Sequence, residues 1–189
     1  MNVICCDDTP AHQSLVQTFL QGTGKLIGKP IDIYKVGNNG AEGVKSFAEA
    51  KAKGIKIDLI TLDIRMPELD GLSALVKIRQ IDPLVSIIMV SSEDEKSVSI
   101  KKTKVSEMPV DDRMKLLMKV VERVQAGINE PGKICKVLDA CEELHLNPIE
   151  VAKTLKANGY IHKPYSAANV KAVVENVLSG GGFLSKVGI

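Results

Sequence analysis

The chain has 189 residues, of which 44% are hydrophobic, and this length and composition fit one domain with a sizeable core. Its formal net charge of +2 argues against nucleic-acid or membrane binding, which usually requires a concentrated basic face. No apolar run approaches the ~20 residues of a membrane span, and the four cysteines lack a zinc-binding or C-x-x-C spacing, so we expect a reduced, cytoplasmic protein.

Short apolar runs alternate with helical patterns along the chain. The predicted strands cover residues 3–6, 31–36, 57–62, 85–90 and 160–162. The predicted helices cover residues 11–21, 41–53, 72–81, 148–158 and 167–178. Strands separated by helices of about ten or more residues indicate βαβ units, and near-continuous apolar strands are typical of a sheet buried on both faces. The sequence therefore predicts an α/β fold with a five-stranded parallel sheet.

Residues 94–146 interrupt this alternation, because the fifth predicted strand comes much later than one βα unit requires. Apolar residues recur within this stretch at helical spacing in two groups, Met114, Leu117, Val121, Val124 and Ile128, then Ile134, Val137, Leu138, Cys141 and Leu144. The pattern predicts an amphipathic helical hairpin inserted into a single domain of residues 1–189.

The apolar stripe of this hairpin needs a partner surface, since two isolated amphipathic helices bury little. That surface could belong to the same domain, to a second copy in a homodimer, or to a target protein, and the sequence leaves the three open. Residues 179–189 are short and glycine-rich, and they predict a flexible C-terminal tail.

Polar side chains follow four of the five predicted strands. Asp7 and Asp8 come after the first strand and Asp63 after the third, while Ser91 follows the fourth and Lys163 the fifth. Because the carboxyl ends of parallel strands meet at one edge of the sheet, we expect these side chains to converge in one crevice.

The chemistry of this set favours a divalent cation and a phosphoryl group. Three carboxylates in one crevice raise each other's pKa unless a cation joins them, and Mg²⁺, with Mn²⁺ as an alternative, suits a few carboxylate oxygens and phosphate. Asp63 could attack phosphorus to give an aspartyl phosphate, and Lys163 could neutralise the phosphoryl oxygens. Ser91 can donate a hydrogen bond to the phosphoryl only when it is present, so it could sense the modification.

Each of these residues also has an ordinary structural interpretation. An acidic pair after a strand is usually a helix cap or a solvated turn, a lone serine at a strand end is mostly structural, and Lys-Pro is common in loops. The functional interpretation depends on the order and placement of the whole set along the chain.

With that set, the chain resembles the receiver domain of two-component response regulators. The resemblance is carried by Asp7-Asp8, by Asp63 within LDIRMPELDG, by Ser91 within IIMVSSED and by Lys163 within GYIHKPYS. It implies a doubly wound (βα)₅ fold of the flavodoxin type, and a stand-alone receiver of the chemotaxis type because few residues follow the last helix.

The resemblance also implies a role for each matching residue. The residue at Asp63 accepts a phosphoryl group from a histidine kinase or a phosphotransfer protein, and Asp7, Asp8 and the backbone carbonyl of Arg65 complete a Mg²⁺ site. The aromatic residue at Tyr160 turns inward when the serine moves. This reshapes the face made by the family's fourth helix, fifth strand and fifth helix, through which an unidentified target protein would bind.

Two rival functions stay open at this point. One is a phosphorylation-independent scaffold that acts through the insertion, against which the intact acidic set argues. The other is an aspartate-nucleophile phosphohydrolase, which requires a second aspartate two residues after the nucleophile, where this chain has Arg65. We therefore expect a signalling domain that catalyses only its own phosphoryl transfer and dephosphorylation.

Overall fold

The architecture is a parallel sheet with helices on both faces. The computed structural model describes residues 1–92, 105–129 and 135–186. The strands are β1 (Asn2–Cys6), β2 (Asp32–Gly37), β3 (Leu59–Leu62), β4 (Ser86–Ser91), β5 (Gly159–His162) and β6 (Leu184–Lys186). They are hydrogen-bonded in the order β2-β1-β3-β4-β5-β6, and every pair is parallel. The predicted doubly wound α/β fold is therefore confirmed.

The helices divide between the two faces of the sheet. They are α1 (Pro10–Leu26), α2 (Gly40–Ala52), α3 (Gly71–Ile81), α4 (Val110–Gln125), α5 (Val137–Glu143), α6 (Pro148–Thr154) and α7 (Ala167–Leu178). Apolar side chains of α1 and α7 form one buried cluster with the sheet, and those of α2 to α6 form the other. Among the described residues, no helix has the length and apolar character needed to cross a bilayer.

The C-terminal segment differs from the prediction of a flexible tail and a five-stranded sheet. Residues 184–186 form β6, which pairs with β5 so that Leu184 lies opposite Gly159. Phe183 packs against the cluster on the α2–α6 face, with the Lys153 ammonium 6.0 Å from its ring centre. The physical reason is that β5 would otherwise present a row of unpaired backbone groups at the edge of the sheet. Residues 187–189 lie outside the described part.

The predicted hairpin corresponds to α4 and α5, and both helices pack against α3 of the same domain. Leu117, Val121 and Val124 of α4 are almost completely buried in the cluster on this face. The buried part of the apolar stripe is thus covered by the domain itself, the first of the three surfaces that the sequence left open, whereas Ile128 is 52% exposed. Residues 93–104 and 130–134 of the predicted insertion lie outside the described residues.

Two helices end at places that their sequence did not predict. Helix α1 continues to Leu26, although Gly22 and Gly24 were expected to stop it at residue 21. Helix α6 ends at Thr154 instead of residue 158, because Lys156 adopts a left-handed conformation with φ of 67°.

Candidate functional site

Three aspartates meet at the carboxyl ends of β1 and β3. Asp7 follows β1 directly and Asp63 follows β3, and the Asp63 amide donates to the Cys6 carbonyl at 2.9 Å. One carboxylate oxygen from each of Asp7, Asp8 and Asp63 lies within 4.8 Å of the others. Asp7 and Asp63 are buried, whereas Asp8 is exposed. The crevice therefore concentrates negative charge where water cannot fully solvate it.

Lys163 neutralises part of this charge. Its Nζ lies 2.7 Å from Asp7 Oδ2 and 2.9 Å from Asp63 Oδ2, and the side chain is only 9% exposed. The Lys163 amide donates to the Ser91 carbonyl at 2.8 Å, which aligns the end of β5 with that of β4, and the Lys163–Pro164 peptide bond is cis. The ammonium thus joins the carboxylates that follow β1 and β3.

The crevice alters the acidity of Asp63. Burial raises the pKa of the Asp63 carboxyl above its ordinary value of 3.8, although the Lys163 charge and hydrogen bond act in the opposite direction. Because the folded pKa is raised, the stability contributed by this group is fully present below pH 3.8 and is lost as the pH rises through the raised value. The ionised form of Asp63 is therefore a cost to the fold that a bound cation would offset.

The donor set fits a divalent cation. Asp63 Oδ1 is a buried oxygen without a hydrogen-bond partner among the described residues, and Asp63 belongs to the cluster of three carboxylates. A buried carboxylate oxygen normally has a partner, so a ligand at this position would satisfy it. Oxygen donors of this kind are those that Mg²⁺ prefers.

The predicted switch residues lie beside the acidic crevice. Ser91 ends β4 and Tyr160 lies on β5, and both side chains are almost completely buried. The Tyr160 hydroxyl donates to the Ser91 carbonyl at 3.0 Å, so the aromatic ring is turned inward. The two residues named as a coupled switch are therefore in direct contact.

The loop between Asp63 and α3 is packed closely around Gly71. The Gly71 amide donates to the Ile64 carbonyl at 2.9 Å, and a Cβ at Gly71 would collide with the Asp63 carbonyl. Asp70 is the N-cap of α3 and accepts a hydrogen bond from the Ser73 amide at 2.9 Å. This packing determines where the Asp63 backbone lies.

Helix α5 contacts the first turn of α3 through Ser73 and the Asp63 loop through Arg65. The Ser73 hydroxyl donates to Asp70 Oδ2 at 2.6 Å and accepts from the Val137 amide at 2.8 Å, and all these groups are buried. Nearer the end of α5, Glu142 forms a 2.7 Å ion pair with Arg65, two residues after Asp63. The role of the Arg65 backbone carbonyl as a metal ligand stays a prediction.

One residue at the site was missed from the sequence. His12 Nδ1 lies 3.2 Å from Lys163 Nζ and 3.5 Å from Asp7 Oδ1. His12 is on the first turn of α1, five residues after Asp7. Its position at the start of a helix that follows an acidic strand end is the signal that could have identified it.

Comparison with known proteins gives a consistent result. The family model described as response regulator receiver domain matches residues 3–109. The chain is 32% identical over 98 residues to the chemotaxis protein CheY of Bacillus subtilis (strain 168), covering 52% of this chain and 72% of that protein. It is also 37% identical over 92 residues to a protein-glutamate methylesterase/protein-glutamine glutaminase of Archaeoglobus fulgidus, covering 49% of this chain and 23% of that one.

A solved structure extends the likeness of fold to nearly the whole chain. The CheX-CheY-BeF3-Mg²⁺ complex from Borrelia burgdorferi gives a TM-score of 0.54 at 21% identity, covering 94% of this chain and 88% of that chain. The residues matched by the family model include the three aspartates and Ser91, whereas Lys163 lies beyond them. The case for Lys163 therefore rests on its contacts in the crevice.

Proposed function

The chain belongs to the family of response regulator receiver domains, and on that premise we propose that it is a phosphorylation-controlled signalling module with Asp63 as its phosphoacceptor. The observation that carries the proposal is the ammonium of Lys163 held between the buried carboxylates of Asp7 and Asp63. A fixed cation beside a nucleophilic carboxylate is the arrangement that phosphoryl transfer needs, since catalysis there is mainly positioning and charge stabilisation.

The reaction consists of one substitution at phosphorus. A carboxylate oxygen of Asp63 forms a bond to the phosphorus of a phosphohistidine on a histidine kinase or phosphotransfer protein. The phosphorus–nitrogen bond breaks, and the imidazole nitrogen keeps the electron pair. Lys163 is placed to donate a hydrogen bond to a negatively charged phosphoryl oxygen while the phosphoryl group is transferred to Asp63.

Asp7, Asp8, Asp63 and the carbonyl of Arg65 would hold Mg²⁺, or Mn²⁺ in its place. The ion supplies charge neutralisation for the phosphoryl oxygens and the crowded carboxylates. Asp63 Oδ1, which has no hydrogen-bond partner in the described part of the chain, supports this assignment. Ser91 then donates its hydroxyl to the phosphoryl group, and the movement is passed to Tyr160 through the bond between the Tyr160 hydroxyl and the Ser91 carbonyl.

The output surface is proposed to lie on the inserted helices. The edge of β5 belongs to the family's output face, but here β6 pairs with that edge. Helix α5 instead contacts the first turn of α3 through the Ser73–Val137 bond and the Asp63 loop through the Arg65–Glu142 ion pair. Arg113 of α4 donates to the last carbonyls of the α5 turn, including His145 at 2.8 Å, so α4 and α5 are joined. These contacts support a route from Asp63 to a protein-binding hairpin.

Phosphorylation is tested by mass spectrometry after incubation with acetyl phosphate and Mg²⁺. We expect one phosphoryl adduct on the wild type, its loss in Asp63→Ala, and its retention in Asp32→Asn, which alters an exposed carboxylate at the start of β2. Omission of the divalent ion should also abolish the adduct. An adduct that persists in Asp63→Ala, or its absence from the wild type at every Mg²⁺ concentration, would contradict the proposal.

Coupling to the insertion is tested by amide hydrogen exchange. We expect phosphorylation to change the exchange of amide hydrogens in α5. The phosphoryl and metal contacts should shift the loop between Asp63 and α3, and Arg65 of this loop and Ser73 of α3 both bond to α5. The variant Glu142→Gln should reduce the change, whereas Glu122→Gln, at an exposed position of α4, should leave it intact. Identical exchange in α5 with and without a phosphorylated Asp63 would exclude this route and favour a phosphorylation-independent scaffold.

A further inference from the structure

The Lys163 ammonium has three neighbours in the crevice, two of them carboxylates and the third a histidine. The distances from Nζ are 2.7 Å to Asp7 Oδ2, 2.9 Å to Asp63 Oδ2 and 3.2 Å to His12 Nδ1. An ammonium carries three protons and accepts none. The three neighbours therefore match its donors one to one.

The position of His12 is determined by the start of α1. The Thr9 amide donates to Asp7 Oδ1 at 2.9 Å, and the Gln13 side-chain amide donates to the Asp7 carbonyl at 2.6 Å. These two bonds hold the first turn of α1 on the residue that Lys163 also binds. His12, between them in sequence, is thereby kept at a fixed distance from the ammonium.

The direction of the hydrogen bond follows from its partners. Nδ1 faces the donors of Lys163 at a shorter distance than it faces Asp7 Oδ1, at 3.5 Å. A proton on Nδ1 would point at the ammonium protons, whereas the neutral tautomer with its proton on Nε2 presents a lone pair to them. A hydrogen bond between the two groups therefore requires Nδ1 to be the acceptor, because an ammonium cannot accept one.

We propose that His12 is a positioning residue for phosphorylation, whose Nδ1 accepts the third proton of Lys163 and aims the ammonium at Asp63. The inference rests on the proposed role of Asp63 as phosphoacceptor. When Asp63 becomes an acyl phosphate, its carboxylate charge is lost, but Asp7 and His12 still hold two of the ammonium protons. The remaining proton can then turn to a phosphoryl oxygen without the side chain leaving its place.

Three variants separate this role from a structural one. His12→Ala removes the acceptor, and His12→Asn restores one, because the asparagine Oδ1 is separated from the backbone by the same number of bonds as Nδ1. Ser14→Ala alters an exposed residue of the same helix and serves as the matched control. Thermal denaturation of all four proteins establishes that each variant is folded.

The first readout is the ¹H–¹⁵N signal of the Lys163 ammonium, measured without acetyl phosphate. A hydrogen-bonded ammonium exchanges its protons slowly enough to be seen, so we expect the signal in the wild type, His12→Asn and Ser14→Ala and its loss in His12→Ala. The second readout is the rate of Asp63 phosphorylation, which should fall about threefold to tenfold in His12→Ala, the range expected for one net hydrogen bond. His12→Asn should remain within about twofold of the wild type.

An unchanged ammonium signal and an unchanged rate in His12→Ala would overturn the inference while leaving the phosphoacceptor in place. Equal losses in His12→Ala and His12→Asn would also overturn it, because the restored acceptor would then have no effect. Failure of the wild type itself to become phosphorylated would refute the proposed function, and the ammonium signal would still decide whether His12 holds Lys163.

Discussion

Replacing Gly71 with alanine should destabilise the domain by about 3 kcal/mol and slow the phosphorylation of Asp63 severely. A Cβ at this position would collide with the Asp63 carbonyl and approach Ile64 Cα within 3.1 Å. Both neighbours are backbone, so no side chain can rotate away, and the loop that carries Asp63 must move. The Gly71 amide also bonds the Ile64 carbonyl, which ties the start of α3 to that loop.

The matched control is Gly22→Ala, inside α1. Apart from its chain neighbours and the backbone of its own helix, no described atom lies within 4 Å of a Cβ at Gly22, so alanine should stabilise the domain by about 0.5–1 kcal/mol through its higher helix propensity. Denaturant unfolding measures both variants, and the acetyl phosphate assay measures the rate. A Gly71→Ala protein with wild-type stability and rate would mean that the Asp63 loop has another conformation.

The positions of the site residues could be predicted because they depend on local patterns and one rule of topology. β1, β3, β4 and β5 are largely apolar runs; Asp7, Asp63 and Lys163 are each the first residue after one of them, and Ser91 is the last residue of β4. The carboxyl ends of parallel strands share one edge, which brings Asp7, Asp63 and Lys163 together whatever the details of the helices. Helix α7 matched its predicted bounds because Ser166 caps it through the Asn169 amide.

The features that were not predicted depend on contacts between distant parts of the chain. The glycines of α1 suggested that the helix ends at residue 21. Gly24, however, lies so close to Ile31 and Lys29 that no side chain would fit at this position. Tertiary packing of this kind outweighs a cost of about 1 kcal/mol per helical glycine. Likewise, nothing local in residues 184–186 indicates β6, because its strand character comes from the unpaired edge of β5.

The contact between α5 and the first turn of α3 had no sequence signal either. The Val137 amide and the Ser73 hydroxyl are 64 residues apart in the chain. A serine near the start of a helix is ordinarily a cap for its own helix. That the Ser73 hydroxyl also accepts a hydrogen bond from the Val137 amide of α5 could be learned only from the packed structure.

Replacing Lys163 with methionine should change two properties of the site in opposite directions. Methionine keeps much of the side-chain volume and removes the charge. The rate of Asp63 phosphorylation should fall by about a hundredfold or more, the usual effect of losing a donor that stabilises developing charge. Magnesium should nevertheless bind more tightly, by about tenfold or more, because the ammonium no longer repels the ion or occupies oxygens of Asp7 and Asp63.

The two effects are measured separately, by calorimetry for Mg²⁺ and by mass spectrometry for the phosphoryl adduct. The control Lys25→Met alters an exposed lysine of α1 and should change neither. Weaker Mg²⁺ binding in Lys163→Met would show that the ammonium organises the carboxylates more than it competes with the ion.

The opposite signs matter because a general loss of structure cannot produce them. A collapsed crevice would lose both the metal and the phosphoryl group, and a merely structural lysine would leave the rate close to that of the wild type. Tighter Mg²⁺ binding together with a slow reaction is expected only if Lys163 shares the carboxylates with the ion before transfer and neutralises the phosphoryl oxygens during it. This outcome would show that the Lys163 ammonium and Mg²⁺ have different roles, although both are positive charges beside the same carboxylates.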